Sequence, residues 1–406
     1  MDAPNRPQAP TDISRELHAL AFNSGSSSLK FGLYRVRGTQ VLRLVSGEAE
    51  GLGQQRGAFH AQDENGTLLL SESAAPASQA EAIGRIVDLL ATSHAPSPQV
   101  IGHRLVNGGT AHRDHCRVDD SVLRELEAAI AFAPLHMPAA LSLIRCAKAS
   151  FPGLPQMACF DTTFHQTLPD VARILPLPRE MIALGIQRYG FHGLSCESIV
   201  RQLAAERSDG VPHRLAIAHL GNGASITAVR DGISVDTSMG LTPSGGVIMG
   251  TRSGDLDPGV LVYLARERQF DAAMLEDLVD HRSGLLGISG LSGDMRTLHE
   301  AAASNAAARL AIDMFCQSVR KQLGAMSVVL DGLDLIVFTG GIGENDVAVR
   351  SNICRGLSSI GVHWGDDSAP PSDRPGARCQ VRVLPSQEDE QIALHATSLC
   401  RDIGHV

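Results

Sequence analysis

The run Leu20-Ala-Phe-Asn-Ser-Gly-Ser-Ser-Ser-Leu-Lys-Phe-Gly-Leu-Tyr34 decides how the rest of the chain is read. Apolar residues enter and leave it, and Asn23, Ser24, Gly25, Ser26, Ser27 and Ser28 lie between, with Lys30 just beyond. Small polar residues between two apolar runs predict strand, tight turn, strand. Such a turn offers backbone N–H groups, hydroxyls and one cation to phosphate oxygens, and its small side chains let a phosphate come close. An ordinary Ser/Gly hairpin shows the same local pattern, so two readings stand at this point.

A second copy weighs between them. Leu215-Ala-Ile-Ala-His-Leu-Gly-Asn-Gly-Ala-Ser-Ile-Thr-Ala-Val229 has the same parts in the same order. A strand–turn–strand phosphate loop occurring twice predicts a duplicated α/β domain with nucleotide held between the halves.

The 406 residues suffice for two or three domains with sizeable cores. At 43% hydrophobic and 19% charged residues the composition is that of a soluble globular protein. A formal net charge of −9 argues against nucleic acid as the main partner. No apolar run reaches the roughly 18 residues of a membrane span. The first 16 residues are polar and proline-rich and read as a loose tail without an export signal. The eight cysteines are scattered without a Cys-x-x-Cys pair, which fits reduced thiols in the cytoplasm better than a disulfide frame or a zinc site. His112-x-x-His115 has the spacing of half a metal site but no second half, and reads as an exposed loop pair.

Further along, 40–46 reads as a strand, 58–70 as a ragged hairpin around Glu64-Asn65-Gly66, and 78–91 as a helix with Ile83, Ile86, Val87 and Leu90 on one stripe. A strand over 100–106 carries Arg104 near its end, before Asn107-Gly108-Gly109. Helices are expected near 121–132 and after Pro138, with His136 just before the second, where anions are favoured. Met157–Phe160 reads as a buried strand delivering Asp161, the usual place for a metal-facing carboxylate in an α/β pattern. The cluster Gln187-Arg-Tyr-Gly-Phe-His-Gly193 precedes a helix near 196–205. After a strand at 233–236, residues 238–258 form a long glycine-rich loop holding Arg252, and long loops of this kind are usually functional or mobile. Helix is expected from 258 to about 323, broken at 283–293. A strand over 333–338 runs into Thr339-Gly-Gly-Ile-Gly-Glu-Asn345, a nucleotide-side turn. After a last strand at 381–384, Ser386 and Asp389 have the spacing of a capping box opening a final helix, with Glu388 in its first turn.

There is no Gly-x-x-x-x-Gly-Lys-Ser/Thr, no complete dinucleotide fingerprint and no Gly-x-Ser-x-Gly elbow. In register, the chain resembles the acetate kinase family over about residues 18–400. The matching runs are Asn23-Ser-Gly-Ser-Ser-Ser-Leu-Lys30, Gly102-His-Arg104, Pro134-Leu-His136, Phe160-Asp-Thr-Thr-Phe-His-Gln166 and Arg188-Tyr-Gly-Phe-His-Gly193. They continue with His219-Leu-Gly-Asn-Gly223, Met249-Gly-Thr-Arg-Ser-Gly254, Ser283-Gly-Leu-Leu-Gly-Ile-Ser-Gly290 and Phe338-Thr-Gly-Gly-Ile-Gly-Glu-Asn345.

The resemblance implies two domains of duplicated actin-like, ribonuclease H-like fold with the active site in the interdomain cleft: 17–160 plus 386–406, and a nucleotide-binding domain, 161–385. It implies a homodimer and a reversible, Mg2+-dependent phosphoryl transfer from ATP to acetate, with Mn2+ as a substitute, linked to acetyl-CoA and acetate metabolism. By the same resemblance Arg104, Asp161, His192 and Arg252 are catalytic, with His192 and Arg252 stabilising the transition state. Asn23, Asp161 and Glu388 organise the metal. Ser26, Ser28 and His136 line the phosphate path. Lys30, His219, Leu220, Gly221, Asn222, Gly223, Asp294, Met295, Arg296, Gly341, Ile342, Gly343 and Asn345 bind nucleotide. Arg104 also meets the substrate, whose methyl group takes a pocket of Val106, Leu135, Phe191 and Pro243.

The sequence departs from the family at Asn107 (usually His), Met137 (Asn), Leu194-Ser-Cys196 (Thr-Ser-His), Ser244-Gly245 (Leu-Glu) and Ser386-Gln-Glu-Asp389 (Thr-Asn-Glu-Glu). These bear on the rate and on the choice of Glu388 over Asp389. A kinase for propionate or butyrate, and a nucleotide-binding regulator without turnover, are the competing readings. The set Arg104, His192 and Arg252 speaks against the second.

Overall fold

The computed structural model describes residues 15–25, 28–54, 56–133, 136–206, 210–362 and 378–402. Most of the expected tail, Ser26 and Leu135 lie outside the described residues. The chain divides into two compact units, Met1–Phe160 with Glu388–Val406, and Asp161–Gln387.

The first unit is built on strands β1 (Leu17–Ser24), β2 (Ser28–Arg37), β3 (Gln40–Glu50), β4 (Ala58–Asp63), β5 (Leu68–Glu72), β6 (Val100–Leu105), β7 (Cys116–Arg117) and β8 (Gln156–Phe160). They form one sheet in the order β5-β4-β3-β2-β1-β6-β8-β7. The second unit holds β9 (Arg214–Leu220), β10 (Ala224–Arg230), β11 (Ile233–Thr237), β12 (Leu335–Thr339) and β13 (Gln380–Val383), in the order β11-β10-β9-β12-β13.

The duplication is visible in these orders. In β3-β2-β1-β6-β8, as in β11-β10-β9-β12-β13, the first two pairings are antiparallel and the last two parallel. Antiparallel neighbours are joined by tight hairpins, and parallel neighbours by the long helical crossovers that such pairing requires. β4 and β5 extend the first sheet beyond this common part. The registers align the copies residue by residue: Asn23 faces Lys30 across the first hairpin, and His219 faces Ser225 across the second. The first hairpin is therefore one residue longer between its facing partners.

Local chemistry explains the elements. Ser78 caps the helix Gln79–Thr92 by accepting from the N–H of Glu81 at 3.2 Å, and Ile83, Ile86, Leu89 and Leu90 turn inward. They pack with Phe22, Phe31 and Phe59 into one buried cluster. In the second unit Ile199 and Leu203 of the helix Gly193–Glu206 join Leu215, Ile217, Leu335 and Val337. Among the described residues no helix is long and apolar enough to cross a membrane.

Four expectations are corrected. The helix expected over 121–132 is α-helical only over Asp120–Ala128 and tightens to 3-10 geometry over Ala129–Phe132. The helical stretch after Pro258 is in five pieces, and the expected break at 283–293 contains the short helix Gly284–Ser289. The capping box does not form: the N–H of Ser386 donates to Glu344 at 2.9 Å, and the helix starts at Glu388. His112 and His115 are half-buried, because both rings stack against Phe160. None of the eight cysteines is in a disulfide.

Candidate active site

In the first unit the site gathers on the ends of β1 and β6 and on the first turn of the helix Glu388–Asp402. Asn23 is next to last in β1, and its amide is fully engaged. Nδ2 donates to Glu388 Oε2 at 3.0 Å and to Asp389 Oδ1 at 3.0 Å. Arg104, on the neighbouring parallel strand, donates from Nη1 to Asn23 Oδ1 at 3.1 Å. Its Nε lies 4.0 Å from Glu388 Oε2, the edge of ion-pairing range. Lys30 faces Asn23 from β2 and is exposed.

The glycine of Gly102-His-Arg104 has a packing reason. A Cβ at Gly102 would sit 2.6 Å from Ile392 Cγ2, so only glycine lets the last helix lie this close to β6. That approach brings Glu388 and Asp389 to Asn23. Burial pushes the Asp389 carboxyl up to about 6 against the lowering effect of the Asn23 hydrogen bond, and the Glu388 charge adds to the rise. Val106, two residues beyond Arg104, is 8% exposed. His136 stands at the N-cap position of the helix Met137–Ser150, with a proline in the first turn after it. Ser28 opens β2, and its carbonyl accepts from the N–H of Gly25 at 2.9 Å.

In the second unit the site is built around the turn of the β9–β10 hairpin. His192 has φ 58°, a left-handed backbone that costs a residue with a Cβ about 1–3 kcal/mol. Its neighbours hold it there. His165 Nε2 lies 3.0 Å from the Phe191 carbonyl, which can only accept, so this nitrogen carries the proton. His192 Nδ1 sits 3.0 Å from Ser225 Oγ on β10, and its ring stacks on His219 at 4.2 Å. The helix Gly193–Glu206 begins at the next residue.

Arg252 reaches the same turn from the glycine-rich loop, held by the Pro243 carbonyl 3.3 Å from Nη1. A Cβ placed on Gly223 would lie 3.2 Å from His192 Nε2 and 3.3 Å from Arg252 Nη1. An imidazole and a guanidinium thus converge on one glycine at a hairpin turn. Loop and turn are tied by the Gly250 N–H donating to the Asn222 carbonyl at 3.1 Å, and Leu285 of the 283–290 run donates to the Met249 carbonyl at 2.9 Å. Phe191 is 1% exposed.

Asp161 follows β8 directly and is 1% exposed. Its carbonyl accepts from the Gly193 N–H at 2.8 Å, and a Cβ at Gly193 would stand 2.1 Å from that oxygen. Asp294 caps the helix Met295–Ala301 and pairs with the exposed Arg296 at 2.9 Å. Met295 is buried beneath them. Gly341, Ile342, Gly343 and Asn345 form the short helix after β12, where Asn345 Nδ2 donates to the Gly341 carbonyl at 2.9 Å.

A protein-family model described as the acetokinase family matches residues 18–394. An acetate kinase of Methylocella silvestris is 41% identical over 397 residues, covering 94% of this chain and 97% of that one. The chain belongs to the acetokinase family. An acetate kinase of Dichelobacter nodosus is also 41% identical, over 94% of this chain and 98% of its own. Among solved structures of this family, a propionate kinase from Francisella tularensis matches with a TM-score of 0.86 at 35% identity, covering 94% of this chain and 100% of the other. An acetate kinase of Porphyromonas gingivalis matches with a TM-score of 0.81 at 32% identity, over 94% and 99%. The duplicated sheets are thus the actin-like fold of an acetokinase.

Within that acetokinase frame the structure brings forward two groups that the sequence alone does not, Ser195 and Ser225, and it places Asp389, which the sequence offers only as an alternative to Glu388, beside Glu388. Asp389 shares Asn23 with Glu388. Ser195 lies 2.8 Å from His219 Nδ1, and Ser225 lies beside His192. Each contact joins distant positions, so spacing carries no sign of it. The one hint in the sequence is that Ser195 stands just past the matching run that ends at Gly193.

Proposed function

We propose that this acetokinase catalyses reversible phosphoryl transfer from ATP to acetate, giving acetyl phosphate and ADP. The observation that carries the reading is the convergence of His192 Nε2 and Arg252 Nη1 on Gly223. A hairpin turn with two cationic or donor groups aimed at its backbone suits a phosphate chain whose last group becomes more charged as it moves.

Acetate is ionised at pH 7, so its attack needs no general base. The protein has to hold two anions in line and stabilise charge on the moving group. Arg104 receives the carboxylate of the substrate. Arg252 and His192 donate to the oxygens of the transferring phosphoryl group. Gly221, Asn222 and Gly223 hold the phosphate chain with Lys30, Ser28, His136 and His219, while residues 294–296 and 341–345 take the adenosine. The methyl group of acetate sits against Val106, Phe191 and Pro243.

The oxygen-rich group of Asn23, Glu388 and Asp389 fits a hard cation, since two carboxylates share one amide and one of them is held at a raised pKa. Asn23, Glu388 and Asp161 would hold Mg2+, which when bound screens the negative charge of the phosphates. A divalent ion also offsets the repulsion between Glu388 and Asp389.

A propionate kinase is the second reading, favoured by the likeness to the propionate kinase from Francisella tularensis. The test is acyl phosphate trapped as hydroxamate from ATP, Mg2+ and acetate, with propionate and butyrate in parallel, for wild type and Arg252→Ala. Acetate should lead, and the variant should lose about 10³–10⁵ in rate. Nucleotide binding without acyl phosphate from any acid would leave the fold and remove the kinase.

We propose further that two copies associate through the helix Pro258–Glu267. None of its residues is buried, and Val260, Val262 and Tyr263 are 41%, 48% and 54% exposed. Exposed apolar side chains grouped on one helix are stabilised when a second copy covers them.

A further inference from the structure

We propose that a hydroxyl relay from Ser386 through Ser195 fixes the tautomer of His219 and thereby aims an N–H donor at the phosphate-binding turn. The proposal rests on the reading that Gly221–Gly223 holds the phosphate chain. Ser195 and Ser386 are positioning residues in it, acting only through His219.

The direction of the relay follows from its geometry. Ser386 Oγ donates to Ser195 Oγ at 3.0 Å. Ser195 Oγ lies 2.8 Å from His219 Nδ1. A serine hydroxyl has one proton to give. Having accepted from Ser386, Ser195 still has its own proton to give, and the proposal assigns that proton to the contact with Nδ1, whose role there depends on the tautomer. On that assignment Nδ1 is the acceptor, and the neutral imidazole carries its hydrogen on Nε2.

The position of Nε2 makes this useful. A Cβ on Gly340 would lie 3.2 Å from it, and a Cβ on Gly221 3.9 Å. Nε2 therefore faces the two glycine turns that close β9 and β12. With the hydrogen on Nε2 it donates to a phosphate oxygen there. With the hydrogen on Nδ1 it would present a lone pair to the same oxygen, which repels. The stack on His192 at 4.2 Å and the strand pairing of His219 with Thr339 prevent the ring from turning away.

The relay is also fixed from outside. Ser195 is completely buried in the first turn of the helix Gly193–Glu206. The N–H of Ser386 donates to Glu344 Oε1 at 2.9 Å, and the same oxygen accepts from the N–H of Gly340 at 2.9 Å. The segment that starts the relay is thus pinned to the turn that His219 faces. This is the use made of Ser386 in place of a capping box.

The experiment is nitrogen-15 NMR of the full chain with labelled histidine, together with kinetics. In wild type, His219 should show an unprotonated Nδ1 and a protonated Nε2. The reverse assignment overturns the relay. In Ser195→Ala, kcat for acyl phosphate formation should fall about 10²-fold, the size expected for one misdirected donor, while KM for acetate changes less than about threefold. Ser195→Thr keeps the hydroxyl and should recover most of the rate. In a His219→Gln background, where an amide N–H replaces Nε2–H and no tautomer exists, Ser195→Ala should cost little. An equal loss in both backgrounds means that Ser195 is merely structural and overturns the proposal. The spectrum is read on the resting protein, so a wild type with the expected tautomer and no acyl phosphate from any acid would remove the kinase reading instead.

Discussion

Asn23 and Glu388, 365 positions apart in the chain, are joined by a 3.0 Å hydrogen bond from Nδ2 to Oε2. The second hydrogen of the same nitrogen holds Asp389 at 3.0 Å. One amide thus spaces two carboxylates that would otherwise repel. In Asn23→Ala the spacing is lost, and the Mg2+ concentration giving half-maximal rate should rise at least about tenfold, in line with the effect of residues that orient metal ligands. A Mg2+ titration of the variant that overlays wild type would show that Asn23 has no part in holding the ion.

Gly223→Ala places a methyl group 3.2 Å from His192 Nε2 and 3.3 Å from Arg252 Nη1. Both are ends of side chains and can yield, so folding survives, but the space between them is where the proposed reading seats a phosphate. The expected result is a loss of roughly 10²-fold or more in kcat with little change in melting temperature. Full activity in the alanine variant would exclude this turn from the phosphate path.

Val106 stands two residues past Arg104 and is 8% exposed. Shortening it to alanine makes room for one more methylene. The ratio of kcat/KM for propionate over acetate should rise by about tenfold, since a methylene in an apolar pocket is worth roughly 1–3 kcal/mol. An unchanged ratio would move the methyl pocket elsewhere.

Burial pushes both His103 and His165 down to about 4. The unfolded chain takes up a proton on each near pH 6.5, while the folded chain does not until about pH 4. Between those values the unfolded state binds more protons, so stability falls as pH falls, by roughly 2 kcal/mol per histidine from pH 7 to 5. Asp389 acts in the opposite sense, since its raised carboxyl keeps a proton in the folded state that the unfolded chain has already lost. His115, pushed down to about 3 mainly by burial, adds to the loss, so three imidazoles outweigh Asp389 and the melting temperature should be lower at pH 5 than at pH 7. Equal or higher stability at pH 5 would mean that these rings are not buried as neutral imidazoles.

Val262→Glu combined with Tyr263→Glu puts two charges among the exposed apolar side chains of the helix Pro258–Glu267. Sedimentation should show a dimer for wild type and a monomer for the double variant. A wild-type monomer would remove the proposed association, and a double variant that stays dimeric would move it to another surface.

The paired hairpins are legible because each writes its whole pattern into about fifteen neighbouring residues. Arg104 and Asp161 can be read as residues at strand ends, and Arg252 from a loop too long to be a connector. The exact partners cannot. Ser195 reaches His219 across 24 positions, and Ser386 serves Ser195 and Glu344 although its spacing to Asp389 imitates a cap. The short helix Gly284–Ser289 is hidden for a related reason. It exists because Gly284, at φ 60°, lets the chain press on the Met249 carbonyl, where a Cβ would stand 2.2 Å away. That is a tertiary cause with no local period.

The return of the last helix to the first sheet has a consequence for synthesis. A ribosome delivers residues in order, so β1, β2 and β6 emerge long before Glu388–Asp402. Until then Gly102 lacks the Ile392 that packs over it, Cys159 Sγ lacks the Ile392 carbonyl 3.9 Å away, and Asn23 has neither of its carboxylates. The second unit, 161–387, is continuous in the chain and suffers no such delay. The first unit is therefore completed only after the whole of the second has been made, and Asn23 gains its two carboxylate partners only when the helix Glu388–Asp402 has emerged.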